Sequence, residues 1–101
     1  EGLLKLYFEN APELASQIRL AWAHKDMETL HRASHSLKST SANMGLDHLS
    51  RLAAKVEESS HTRRLEDIPQ QLDALLYEHE WALETLHAYH QRCSFTNRSA
   101  Q

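Results

Sequence analysis

Apolar residues recur at intervals of three and four along most of this 101-residue chain, the last run being Ile68, Leu72, Leu75, Leu76, Leu83 and Leu86. That spacing places them on one side of an α-helix about five turns long. Little interrupts the pattern. There are only two glycines and two prolines, while leucine, alanine, glutamate and glutamine, all good helix formers, are abundant. An all-α chain follows, with no strands expected. One domain accounts for the length, and a chain of this size buries roughly 60 to 65 % of its unfolded surface without disulfides or metal staples.

Start and stop signals divide the chain into five segments. LLKLYFE, residues 3–9, is apolar on most sides and is expected to form a short N-terminal helix, a lid on the end of a bundle. Asn10 can cap the next helix, with Pro12 in its first turn, where a missing N–H costs nothing. Leu14, Ile18, Ala21 and Trp22 supply that helix with its buried stripe. Asp26 is the following N-cap, with Thr29 where a capping box prefers Glu, and this third helix runs to about Asn43. Gly45 can adopt the left-handed conformation that closes it. A fourth helix buries Leu46, Leu49, Leu52, Ala53 and Val56 and gives way to a polar loop, ESSHTRR, at 58–64. Pro69 marks the first turn of the last helix.

Short connections make neighbouring helices antiparallel. The expected architecture is therefore an up-down four-helix bundle with an additional short N-terminal helix. The bundle spans 3–92, and 93–101 form a polar, loose tail ending at a natural C-terminus. The chain opens on Glu1 rather than methionine, so a fragment of a longer protein is expected. Trp22 and Trp81 are read as core or partly buried packing. Ser41 is read as structural, its hydroxyl bonding back to a carbonyl, and Asn43 as a helix-end residue.

Charge and cysteine usage narrow the partners. A formal charge of −3 with scattered lysine and arginine leaves no basic stripe, so nucleic acid is not an expected partner. No apolar run approaches the ~18 residues of a membrane span, and no signal peptide is visible. Cys93 is the lone cysteine, so no disulfide forms within the chain, in keeping with a reducing cytosol.

On the third helix Leu30, Ala33, Leu37, Thr40 and Met44 fall on one side, while His31, His35, Lys38, Ser39 and Ala42 fall opposite. His35 thus points to solvent. A solvent-facing imidazole is partly neutral at physiological pH and can offer a nitrogen lone pair to an electrophile such as a phosphoryl group. Lys38, three residues on, can reach the resulting negative charge. Taken alone, H-x-x-K is also what a plain helical surface with this many histidines displays.

The surrounding residues add to it. The run HSLKSTSANMG at 35–45, with LDHLSRLAAKVEES following as another amphipathic helix, resembles the histidine-containing phosphotransfer (HPt) domain family, whose pattern runs H-x-L-K-G-x-[SA]-x-x-x-G. The likeness covers residues 3–92, including APEL near the start and KDMETLHRASHSLK leading into the site, and departs at Ser39, where the family usually has glycine. It implies that His35 is phosphorylated and that Lys38 assists through charge. Small side chains at Ser39 and Ala42 would let another protein approach, and His31, Arg32 and Ser36 would rim the docking face. The chain would be a phosphotransfer intermediate rather than an enzyme, relaying a phosphoryl group between His35 and the aspartate of response-regulator receiver domains, in cis or in trans. It would need no cofactor, with Mg²⁺ carried by the receiver, which accounts for the lack of a Gly-rich phosphate loop or a carboxylate triad. The family's usual setting is the C-terminal module of a hybrid sensor histidine kinase. That setting implies a cytoplasmic location, free or tethered to the inner membrane through the parent kinase.

Two other readings stay open. Eight histidines invite a metal site, with His31 and His35 at i, i+4 and His87, His90 and Cys93 repeating every three residues. Zinc takes three or four ligands converging tetrahedrally. The first pair has no acidic third ligand nearby in sequence, and the second set drifts about 60° around its helix per step, so no metal ligand is assigned. The other reading is a helical module that binds a partner through an exposed face without chemistry; the presence of both His35 and Lys38 speaks against it.

Overall fold

The computed structural model describes residues 2–100, with side chains through Cys93. Four helices follow one another: α1 Gly2–Ala23, α2 Met27–Asn43, α3 Asp47–Thr62 and α4 Ile68–Ala100, with a 3-10 turn at Leu65–Asp67 before the last. No strand occurs among the described residues.

The first three helices end in the same way. Lys25 (φ 56), Gly45 (φ 75) and Arg63 (φ 60) each adopt left-handed backbone. The next residue's N–H then reaches back five positions, Asp26 to Ala21 O at 2.8 Å, Leu46 to Ser41 O at 2.9 Å and Arg64 to Ser59 O at 2.9 Å. These bonds satisfy carbonyls that the helix itself leaves free. Each turn is short, so consecutive helices run antiparallel. Asp26 caps α2 as expected, accepting the Thr29 N–H at 3.1 Å. Thr29 contributes differently from a capping-box Glu, donating its hydroxyl to the Asp26 carboxylate at 2.7 Å.

One core fills the space between the helices. α1 contributes Tyr7, Ala11, Ala15 and Ile18, α2 Leu30, Ala33 and Leu37, α3 Leu49, Ala53 and Val56, and α4 Ile68, Leu72, Leu75 and Ala82. Each fully buried Leu or Ile in such a core contributes about 1.5–3 kcal/mol relative to exposure. α2 packs against α1 and α3, α4 also packs against α1 and α3, and the diagonal pair α2 and α4 make no close backbone approach among the described residues.

The structure corrects five expectations. The extra N-terminal helix does not exist separately, because α1 is continuous from Gly2 to Ala23 with Pro12 inside it and Asn10 is no cap. Tyr7 and Ala11 before the proline and Ala15 and Ile18 after it form one buried stripe. Burying that stripe outweighs the hydrogen bond that proline removes. The polar run at 58–64 is mostly the last turns of α3, since Ser59 and Ser60 are small enough to be buried. The stretch from Cys93, expected to be loose, carries α4 on to Ala100; it holds no proline or glycine, and extending an existing helix is cheap. Trp81 is 55 % exposed rather than packed. Ser41 is buried, yet its hydroxyl makes no hydrogen bond to a carbonyl.

Candidate phosphotransfer site

The outward face of α2 meets α3 at a single carboxylate. The His35 ring is 57 % exposed, and its Nδ1 lies 2.7 Å from Glu57 Oε2. Lys38 Nζ sits 2.8 Å from the other oxygen, Oε1. His31 Nε2 approaches Oε2 at 3.8 Å. Glu57 thus gathers three side chains spaced along α2. The two backbones are tied beside this group by the Ser50 hydroxyl, which donates to the Lys38 carbonyl at 3.0 Å. Ser34 and Leu37, buried beneath, hold α2 in the orientation that turns His35 outward.

Glu57 is itself only 16 % exposed. Partial burial pushes its carboxyl up, but hydrogen bonds and charge from Lys38 and His35 outweigh that and hold it below the ordinary carboxylate value. It is ionised at neutral pH and can only accept hydrogen bonds, so the His35 Nδ1 must carry the proton it donates. In the neutral ring the lone pair is then on Nε2, the nitrogen that does not face Glu57. Beside this cluster a shallow pocket of about 360 Å³ is lined by His31, Lys38, Ala54, Glu57, Glu58 and His61. The His31 and His61 rings lie 5.4 Å apart, centroid to centroid, across the helix pair.

The other residues singled out in the sequence spread along α2. Arg32, Ser39 and Ala42 are exposed, and Ser36 is half-buried. None of them reaches Glu57. In the His87, His90 and Cys93 series the two histidines pack on one ring: His87 stacks on Phe8 at 3.9 Å between centroids and His90 meets the same ring edge-on at 6.3 Å. Among the described residues no three His, Cys, Asp or Glu side chains converge in a group that could hold a metal ion.

Glu57 was not a candidate from sequence, standing 22 residues from His35. Its one trace there is its place beside the apolar stripe of α3, four residues after Ala53 and next to Val56.

A family model described as Hpt domain matches residues 2–91. The chain belongs to the Hpt domain family. Hpt domains are helical modules that carry phosphoryl groups on histidine in two-component phosphorelays, and they are transfer modules rather than catalysts. Their partners are the receiver domains of response regulators. No curated protein and no solved structure matches the chain. No described helix of this Hpt domain is long and apolar enough to cross a membrane.

Proposed function

We propose that His35 accepts the phosphoryl group, on Nε2, from the aspartyl phosphate of a receiver domain, and returns it to a receiver by the reverse step. The observation that carries this reading is the 2.7 Å contact between His35 Nδ1 and Glu57 Oε2, because it leaves the lone pair on the other ring nitrogen of an exposed side chain. In the transfer, Nε2 forms a bond to phosphorus while the phosphorus–oxygen bond of the acyl phosphate breaks, and the aspartate leaves as a carboxylate. No proton has to leave Nε2. The Nδ1 proton stays directed at Glu57, whose negative charge offsets the positive charge that the phosphorylated ring acquires. Lys38, held on Oε1, shields the incoming phosphoryl oxygens from that carboxylate.

Phosphoryl transfer asks a protein mainly for positioning and charge, and that is what this helix pair offers. In this reading the chain turns over nothing alone and the receiver brings Mg²⁺. His31, Arg32, Ser36, Ser39 and Ala42 rim the surface on which the receiver lands. A cytoplasmic position, attached to or served by a hybrid sensor kinase, belongs to the same reading.

Incubation with a radiolabelled, phosphorylated receiver domain tests it. Wild type should carry a label that is lost in acid and survives base, with ³¹P–¹⁵N NMR placing it on Nε2, and His35→Gln should fold normally and carry none. Equal labelling of His35→Gln would overturn the assignment. Label lost in His31→Gln instead would move the site by one turn.

A further inference from the structure

The far side of the bundle carries a second surface. Between Ile68 and Gln91, α4 contains no lysine or arginine but has Asp73, Glu78, Glu80 and Glu84. Three of these acids share an arc of roughly 100° with Tyr77 and Trp81. Asp73, Glu80 and Glu84 are exposed, and the two aromatic rings, one turn apart, are 74 % and 55 % exposed. Glu78 points elsewhere, toward His48 of α3 at 3.9 Å. Arg19 of α1 reaches the edge of this face, 3.6 Å from Glu80.

Two large aromatic side chains facing water contribute little to the bundle. Such residues are the usual anchors of protein interfaces. The acids around them say what kind of partner fits. We propose that this face of α4 docks a cationic helical segment of another protein, its aliphatic side chains lying on Tyr77 and Trp81 and its arginines or lysines meeting Asp73, Glu80 and Glu84. Tyrosine and tryptophan faces also attract guanidinium and ammonium groups directly. The chain already shows that geometry, with Lys25 Nζ 4.0 Å above the Trp22 ring. An acidic face is repelled by anionic lipid headgroups and by a second copy of itself, so neither is the occupant. Because α4 lies across the bundle from α2, with no close backbone approach between their described residues, such a partner leaves His35 open to a receiver.

The test uses the Trp22→Phe chain, in which Trp81 is the only tryptophan. It is titrated with a synthetic helical peptide of leucine, glutamine and arginine, arginines on one face, and with the same peptide carrying glutamate for arginine. The arginine peptide should give a saturable blue shift of Trp81 emission, with amide shift changes confined to α4 and the facing turns of α1. The glutamate peptide should give none. Asp73→Lys with Glu84→Lys should weaken binding at least tenfold, and Trp81→Ala should abolish the localised amide changes while leaving phosphate acceptance intact. Binding unaffected by the charge reversals, or mapped to Glu57 and Glu58, would overturn the proposal. So would a Trp81-dependent dimer in sedimentation, or binding to vesicles of phosphatidylserine in place of the peptide.

Discussion

At the residue scale the site turns on one carboxylate. Hydrogen bonds to charged groups are worth about 1.5–3 kcal/mol, which corresponds to roughly 10- to 150-fold in rate if the bond is needed in the transition state. Glu57→Ala should slow phosphoryl acceptance within that range in single-turnover assays, and Glu57→Gln, which keeps an acceptor but not the charge, should fall between it and wild type. Transfer unchanged in Glu57→Ala would show that the ring needs no holder. Lys38→Ala should be impaired but active, with a smaller loss in Lys38→Arg, as read from phosphohistidine lifetime. Ser39 lies one turn beyond His35 and is exposed, so bulk there stands between the imidazole and a docked receiver. Ser39→Tyr should fold with an unchanged circular dichroism spectrum yet lose transfer, whereas Ser39→Gly should transfer at least as well and be less stable by about 0.5 kcal/mol. The outward placement of His35 and Lys38 was legible in the sequence because both stand opposite the apolar stripe of their own helix. Glu57 was not, because its meeting with His35 depends on the register between α2 and α3, which periodicity within one helix does not encode.

At the scale of the elements, sequence signals worked where a residue type has a single backbone meaning. Asp26 and Gly45 mark the two ends of α2 as expected, and Pro69 opens α4. They failed where tertiary burial overrode the local signal. Lys25 and Arg63 take left-handed conformations that carry no sequence mark, and Pro12 reads as a helix start although its neighbours' burial carries the helix through it. Pro12 leaves the Phe8 carbonyl without its intrahelical donor. Pro12→Ala restores that donor and a better helix former, offset by a more flexible unfolded chain. The net expectation is a gain of about 1–2 kcal/mol, measured as a higher urea midpoint at constant slope. A lower midpoint would mean that α1 relies on the proline for its shape.

At the scale of the whole molecule, one buried group sets a pH dependence. His79 on α4 is 1 % exposed, and its Nδ1 has no hydrogen-bond partner. Burial holds its pKa below the ordinary 6.5; Glu80 nearby pulls the other way, and Arg19 adds to the depression. The unfolded chain therefore takes up a proton at this residue as pH falls below about 6.5, while the folded chain resists. The unfolded state binds more protons in that window, so stability falls as the pH is lowered through it and levels off only below the folded-state value. His79→Leu should flatten this component, read as the difference between the two proteins' urea midpoints from pH 7 to 5. Parallel curves would place the acid sensitivity on other groups. The sequence could not single out His79 among eight histidines, because its position on the buried stripe of α4 is one that leucine would be expected to hold. The arrangement of the helices also bears on how the chain reaches its native state. Three of the four contacting helix pairs are consecutive hairpins joined by short turns, and only α1 and α4 are distant in sequence. Such mostly local topology has low contact order, the class that folds in microseconds to milliseconds. The α1–α4 seam, stitched by the Phe8–His87 stack and the Arg19–Glu80 pair, closes the longest loop and so bears the largest closure entropy. The hairpin of α2 and α3, which joins His35 to Glu57, needs only a three-residue turn at 44–46 to assemble.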